Sequence, residues 1–187
     1  MMSKADLRAD ALALRRSYAR ALWDGTRTAL EAQLAQHVLP HLLTSRVIAF
    51  YHPMKDEISP YPIMEALRDG QIALLPWFAD RDARMMWRQA PATEVGPWGM
   101  LQPPPHAEAM APDTVLVPLV YGDRRGNRIG HGKGHYDRAL SHLRISGLVR
   151  TIGIAWDIQI SDEPLEPDSW DVPLDAIATP GGWIQCA

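Results

Sequence analysis

One segment of the chain, GNRIGHGKGHYDRAL at residues 126–140, concentrates groups that can bind a phosphate. Glycine stands at every second position of its central part, at Gly130, Gly132 and Gly134. Glycines adopt positive φ angles easily and let backbone amides approach an anion closely. Lys133 adds a positive charge inside this run, and Arg128 adds another at its edge. These residue types favour a phosphate site, with an ordinary glycine-rich turn as the alternative.

A helix is predicted to follow the glycines, from about His135 to Leu143. The free N–H groups at the start of a helix carry partial positive charge and attract phosphate. Asp137 falls in the first turn, where its carboxylate either holds Mg²⁺ beside the phosphates or is an ordinary first-turn acid. The segment matches neither common phosphate motif: Asn127 stands where the Walker pattern needs its first glycine, and the glycine spacing differs from G-x-G-x-x-G. The local residues therefore leave the ligand open.

Apolar runs on both sides of this segment predict the sheet that carries it. We predict strands at 46–52, 71–76, 84–90, 114–119, 149–156 and 175–179, and helices at 3–23, 26–39, 60–70 and 135–143. Residues 91–113 are rich in proline, so we expect a long surface loop there. Strands that alternate with helices predict an α/β fold with three layers, α/β/α, around a mostly parallel sheet. Ligands of such folds bind at the carboxyl ends of strands, where residues 120–135 are expected to lie.

Length and composition narrow the classes of protein further. A chain of 187 residues is about the size of one domain, so we expect a single domain over 1–187. The net charge of −3 gives no reason to expect nucleic acid or a membrane surface as a partner. We find neither an apolar run that could span a bilayer nor a signal peptide, and Cys186 is the only cysteine. These features predict a cytoplasmic protein without an internal disulfide.

Several motifs in order along the chain carry a resemblance to a known family. The stretch VPLVYGDRRGNRIGHGKGHYDRAL resembles the glycine-rich motif of the 5-formyltetrahydrofolate cyclo-ligases, also called 5,10-methenyltetrahydrofolate synthetases. Further segments are similar to motifs of the same family: KADLR at 4–8, YHPMKDEIS at 51–59, WGMLQP at 98–103, GIAWDIQ at 153–159 and WDVPLDAIATP at 170–180. Because these matches cover nearly the whole chain, the sequence is identified as a member of that family.

The resemblance implies an ATP- and Mg²⁺-dependent enzyme that converts 5-formyltetrahydrofolate to 5,10-methenyltetrahydrofolate and releases ADP and phosphate. The formyl oxygen would be phosphorylated, and N10 of the folate would then close the ring. Phosphoryl transfer of this kind asks the protein for alignment and charge stabilisation. No nucleophilic side chain is required, and no obligatory protein partner is evident from the sequence.

The resemblance also assigns roles to individual residues. The ATP-binding residues would be Lys4, Arg8, Arg128, Gly130, His131, Gly132, Lys133, Gly134, His135 and Tyr136. Among these, Lys133, Arg128 and His131 would act in catalysis. The folate would be bound by His52, Glu57, Trp98 and His135, and Mg²⁺ by Asp137 and Asp171.

Three positions depart from the common family pattern. His131 stands where the family commonly has arginine, His135 where it has tyrosine, and Trp170 where it has histidine. The neutral form of an imidazole would bind phosphate more weakly than arginine does. Two alternatives therefore stay open: a non-catalytic relative that binds nucleotide or folate, and an ATP-dependent enzyme of the same fold acting on another small substrate.

Overall fold

A seven-stranded sheet runs through the centre of the computed structural model, which describes residues 3–54, 56–147 and 149–186. The described residues form four α-helices: α1 Lys4–Ala21, α2 Asp24–Val38, α3 Tyr61–Glu65 and α4 His135–Ser146. Their twelve strands are β1 Val47–Ala49, β2 Ile72–Trp77, β3 Met86–Gln89, β4 Glu94–Val95, β5 Leu101–Gln102, β6 Thr114–Pro118, β7 Tyr121–Asp123, β8 Arg128–Ile129, β9 Arg150–Ile154, β10 Ile160–Ser161, β11 Ala176–Thr179 and β12 Gly182–Gln185. Two short 3₁₀ helices lie at Leu39–Leu42 and Asp157–Gln159.

The strand order in the main sheet is β12-β11-β9-β6-β1-β2-β3. The five inner strands pair in parallel, whereas β3 and β12 pair antiparallel at the two edges. From β1 the chain proceeds to β2 on one side, and from β6 it proceeds to β9 on the other side. The carboxyl ends of β1 and β6 therefore flank the switch point of the sheet, where ligands of doubly wound folds bind.

Helices cover both faces of this sheet. On one face, Leu34 and Val38 of α2 pack in a cluster with Ile48 of β1. On the other face, Leu140 of α4 packs in a cluster with Val117 of β6. Inner strands that are buried on both sides explain the continuous apolar runs in the sequence. The predicted three-layer α/β/α class is confirmed.

Some predicted elements were wrong in detail. The region 91–113 contains the β4–β5 hairpin, which the sequence signals missed because each strand has only two residues. The short edge strand β12 was not predicted, and α3 ends at Glu65 instead of continuing to residue 70. No helix within the described ranges is long and apolar enough to cross a membrane.

The glycine-rich segment begins with a hairpin, β7–β8, that one buried carboxylate holds together. Asp123 accepts hydrogen bonds from the backbone N–H groups of Arg125 and Asn127, and from the more distant N–H of Leu165. At the tip, Gly126 has φ +87°, and its carbonyl accepts a hydrogen bond of 2.9 Å from the N–H of Leu174. The hairpin is thereby fixed against the chain that leads into β11.

We predict that Gly126→Ala is more destabilising than Gly70→Ala, although both glycines have φ +87°. A Cβ at Gly126 would lie 2.3 Å from the carbonyl oxygen of Leu174, whereas at Gly70 it would meet nothing within 4 Å. The unfavourable φ alone costs about 1–2 kcal/mol, and the clash at Gly126 should add about 1–3 kcal/mol. Thermal and urea unfolding of both variants measures the difference. Equal losses of stability would show that the hairpin tip adapts freely.

Candidate active site

Helix α1 presents a basic face to the carboxyl ends of the central strands. A capping box between Ser3 and Asp6 starts this helix. Further along, Arg8 donates a hydrogen bond of 2.8 Å from Nε to the carbonyl of Gly130. Arg15 donates one of 3.1 Å from Nη1 to the carbonyl of Leu119, just after β6. The helix is thereby attached both to the end of the sheet and to the glycine-rich segment.

The glycine-rich segment leaves a set of backbone donors without partners. Gly132 has φ +85°, and Gly134 has φ +63° and is the N-cap of α4 without a capping side chain. Among the described residues, none accepts a hydrogen bond from the backbone N–H groups of residues 132–137. Free N–H groups at a helix start, with the helix dipole behind them, form an anion-binding site. This geometry fits the predicted phosphate site.

Lys133 and His135 lie in an aromatic environment beside these amides. The ammonium of Lys133 is 3.5 Å from the centroid of the Trp98 ring, and the His135 ring lies 5.6 Å from the same centroid. Burial lowers the pKa of His135, and the nearby Arg138 and Lys133 lower it further. His135 is therefore neutral at pH 7, while Lys133 provides the positive charge. The structure thus brings Trp98 together with two predicted site residues of the glycine-rich segment, Lys133 and His135.

Glu57 lies at the other side of the site, and its side chain is buried, with 4% of the residue exposed. Its Oε1 is 3.3 Å from Nη1 of Arg15 and 3.3 Å from Nε2 of His131. Its Oε2 accepts a hydrogen bond of 2.9 Å from the N–H of Met54. A carboxylate held in this way can accept further hydrogen bonds from N–H groups of a heterocyclic ligand.

Aromatic and imidazole groups surround Glu57. Burial raises the pKa of Tyr136, and the charge of Glu57 raises it further, so the hydroxyl stays protonated and can donate a hydrogen bond. Burial lowers the pKa of His52, although Glu57 partly opposes this effect. His52 also contacts the hydroxyl of Tyr61 through Nδ1 at 2.5 Å. The predicted folate residues His52 and Glu57 are therefore close enough for the charge of Glu57 to affect the pKa of His52.

His131 was predicted to contact phosphate, but its side chain lies against Glu57 in this structure. The imidazole lies beside the carboxylate of Glu57 and not beside the row of free amides. A buried anion attracts the nearest available donor, and among the described residues Arg15 is the other ion-pair partner of Glu57. The position of His131 therefore connects the glycine-rich segment to the carboxylate side of the site.

The predicted Mg²⁺ ligands are each paired with a cation. Asp137 accepts a hydrogen bond of 2.6 Å from Arg128, and Asp171 accepts one of 2.5 Å from Lys4. Burial raises the pKa of Asp171, but the hydrogen bonds from Lys4 and from the backbone of Asp168, together with the charges of Lys4 and Arg128, outweigh burial and leave the pKa below its usual value. The described residues contain no cluster of three or more His, Cys, Asp or Glu side chains that could hold a metal ion. The residues present do not fit a resident Mg²⁺ site, because both carboxylates are already neutralised.

Arg128 also differs from its predicted role at the phosphate. Its side chain is buried, and Nη1 donates a hydrogen bond of 2.7 Å to the carbonyl of Val172 while Nη2 binds Asp137. The guanidinium joins β8, α4 and the segment before β11. In this arrangement Arg128 stabilises the elements that carry the site, and its contact with phosphate stays a prediction.

Arg15 is a site residue that the sequence reasoning missed. It lies on the same face of α1 as Lys4 and Arg8, at spacings of eleven and seven residues. It also interrupts an apolar stripe that includes Ala11 and Tyr18. A charge inside an apolar stripe needs a partner, and this signal was present in the sequence.

The fold and the site define a ligand-binding protein with a doubly wound α/β sheet and an anion-binding helix start at its switch point. The sequence profile of the 5-formyltetrahydrofolate cyclo-ligase family matches residues 1–180, and the chain belongs to this family. It is 33% identical to the 5-formyltetrahydrofolate cyclo-ligase of Mycolicibacterium smegmatis, over 95% of this chain and 94% of that protein. It is 29% identical to the cyclo-ligase of Haemophilus influenzae, over 77% of this chain and 82% of that protein.

Two solved structures share the fold. The 5,10-methenyltetrahydrofolate synthetase of Aquifex aeolicus has a TM-score of 0.80 and 27% identity, and the match covers 97% of this chain and 92% of that one. The corresponding protein of Mycoplasma pneumoniae has a TM-score of 0.73 and 26% identity, with 96% and 99% covered. Both likenesses extend over the whole sheet and not only over the glycine-rich segment.

We predict that Arg15→Met strongly destabilises the protein, by about 3–5 kcal/mol, because it leaves the buried carboxylate of Glu57 without its cation. Arg16→Met is the matched control, since Arg16 is exposed and lies 3.7 Å from Asp56. The control should cost no more than about 1 kcal/mol. Urea unfolding monitored by circular dichroism compares the two. Similar free energies of unfolding would mean that the Arg15–Glu57 pair adds little to the fold.

Proposed function

We propose that this protein converts 5-formyltetrahydrofolate to 5,10-methenyltetrahydrofolate, consuming ATP and releasing ADP and phosphate. Family membership over residues 1–180 supports this activity, as do two solved synthetases of the same fold. The observation that carries the proposal is the row of free amides at residues 132–137 beside Lys133, in the same site as the buried Glu57. One half of the site suits phosphates, and the other suits a ring with N–H donors.

The proposed reaction has two steps. The formyl oxygen on N5 attacks the γ-phosphorus of ATP, and the bond to the β-phosphate oxygen breaks to release ADP. N10 then attacks the formyl carbon and loses its proton, and the phosphate leaves with the electron pair of its C–O bond. The products are 5,10-methenyltetrahydrofolate, ADP and inorganic phosphate.

The protein's part in this reaction is alignment and charge stabilisation. The free amides and Lys133 hold the phosphate oxygens, and the developing negative charge on the transferring group is stabilised by donors that are already in place. Arg8, which contacts the carbonyl of Gly130, extends the positive potential along α1, whereas Lys4 of the same helix is paired with Asp168 and Asp171. Magnesium enters with ATP as part of the substrate, since phosphate oxygens and water supply most ligands of Mg²⁺ in such sites.

The folate is oriented from the opposite side. The carboxylate of Glu57 accepts hydrogen bonds from N–H groups of the pterin ring, and the protonated Tyr136 is a nearby donor. His52 and His131 border the same carboxylate. With the pterin fixed there, the formyl group can face the phosphate side of the site.

The direct test mixes purified protein with 5-formyltetrahydrofolate and MgATP and follows methenyl absorbance in the near ultraviolet. We expect absorbance that depends on both substrates, with one ADP released per product. A folded protein that binds either substrate but gives no ATP-dependent absorbance would identify a non-catalytic relative. ATP-dependent turnover of another carbonyl compound, without turnover of 5-formyltetrahydrofolate, would identify a different enzyme of this fold.

We predict that Lys133→Met lowers kcat by about 100- to 1000-fold, the usual loss when a donor to a developing charge is removed. Lys133 is exposed in a glycine-rich segment, so the fold should be unchanged. Arg20→Met, at the exposed end of α1, removes a positive charge at a distance and should leave kcat unchanged. Near-normal turnover by the Lys133 variant would place the lysine outside the chemistry.

We predict that Glu57→Gln raises KM for the folate by about 10- to 100-fold, since a charged acceptor contributes about 1.5–3 kcal/mol. KM for ATP should change far less. Asp56→Asn is the matched control, because Asp56 is the neighbouring acid and pairs only loosely with Arg16. Steady-state kinetics with each substrate varied gives both constants. Parallel changes in the two KM values would indicate that Glu57 acts only through the fold.

A further inference from the structure

The backbone of Lys133 does not by itself fix the position of its side chain. It stands between Gly132 and Gly134, which both have positive φ angles, and its side chain is long and flexible. In the structure its ammonium lies over the ring of Trp98, 3.5 Å from the centroid. A cation at this distance from an indole face is attracted by the ring quadrupole. Trp98 is therefore the group that localises the lysine.

Trp98 itself is connected to the main sheet through the hairpin that carries it. It lies in the turn of the β4–β5 hairpin, whose residue Gln102 makes two hydrogen bonds of 3.1 Å with the backbone N–H and carbonyl of Phe78. Arg81 donates a hydrogen bond of 3.0 Å to the carbonyl of Pro97, next to Trp98. Phe78 follows β2 directly and Arg81 lies in the loop after it, so the hairpin is anchored at the carboxyl end of this strand.

Two more rings, those of Phe78 and His135, lie beside Trp98. Phe78 lies 6.5 Å from Trp98 and 5.1 Å from His135 between ring centroids. Arg138 donates a hydrogen bond of 3.0 Å to the carbonyl of Lys133 and so holds the backbone of the segment. The backbone is thus fixed by α4, and the side chain is fixed by the hairpin.

We propose that Trp98 is a positioning residue for Lys133, which the β4–β5 hairpin holds beside the free amides of the glycine-rich segment before the nucleotide binds. This proposal rests on the proposed function of Lys133 at the phosphates. A lysine that is already localised loses less conformational freedom when it meets a phosphate. Trp98 accordingly acts on the transfer step through Lys133, and its effect should appear in kcat more than in KM for the folate.

The low lysine content of the chain gives a test that does not depend on activity. The sequence has three lysines, Lys4, Lys55 and Lys133, so reductive methylation with ¹³C-formaldehyde gives few NMR signals and keeps the charge. Methyl groups above an indole face are shifted upfield by its ring current. We expect one upfield signal, which Lys133→Arg identifies by removing it. The signal should move to the position of an ordinary lysine in Trp98→Leu and only part of the way in Trp98→Phe.

Kinetics of the same variants completes the test. Trp98→Leu should lower kcat by about tenfold, which corresponds to about 1.4 kcal/mol, with KM for the folate changed less than about threefold. Trp98→Phe should recover part of the loss. Trp23→Leu is the control, because Trp23 is 73% exposed and lies at the start of α2.

The outcomes separate this proposal from the proposed function. A lysine signal without an upfield shift in the folded wild-type protein overturns the positioning role, even if the enzyme is active. A large rise in KM for the folate with kcat unchanged also overturns it, since Trp98 would then contact the substrate. Absence of turnover in the wild type, with the upfield shift present, would refute the proposed reaction and leave the contact itself established.

Discussion

The buried ion pair between Arg15 and Glu57 is the interaction on which the arrangement of the site depends. An unpaired charge in the interior costs several kcal/mol, so each of these side chains requires the other. Glu57 comes after β1, while Arg15 also binds the carbonyl of Leu119 after β6. Satisfying both contacts places α1 across the ends of the two central strands. A helix advances about 1.5 Å per residue, so the position of Arg15 also determines where Arg8 meets Gly130.

The site has two chemically different sides that share one short segment of chain. The backbone amides of residues 132–137 provide donors, and the carboxylate of Glu57 provides an acceptor. His131 belongs to the glycine-rich segment but contacts Glu57, so this contact joins the two sides of the site. A reaction that must align a phosphoryl group with a group on a ring needs such a fixed relation between two binding surfaces.

Ion pairs also hold the periphery of the site. Lys4 joins α1 to Asp168 and Asp171, and Arg128 joins β8 to Asp137 of α4. These pairs connect the loop before β11 with both helices that border the site. They also pair the acids that the sequence indicated as metal ligands with cations.

The sequence alone determined the class of the fold and predicted where the site lies. Runs such as TVLVP are readable as buried parallel strands because their apolar character is continuous, and the glycines before α4 signal a helix start by their backbone preferences. Only the tertiary structure decided which partner each charge takes. Arg15 and Glu57 are 42 residues apart in the sequence. Lys133 contacts Trp98, which belongs to a region that was predicted as a structureless loop. Asp137 carries the same carboxylate whether it binds a metal or Arg128, and its neighbours in sequence do not distinguish the two. Helix and strand signals depend on residues that are close along the chain, whereas ion pairs and ring contacts depend on the folding that brings distant residues together.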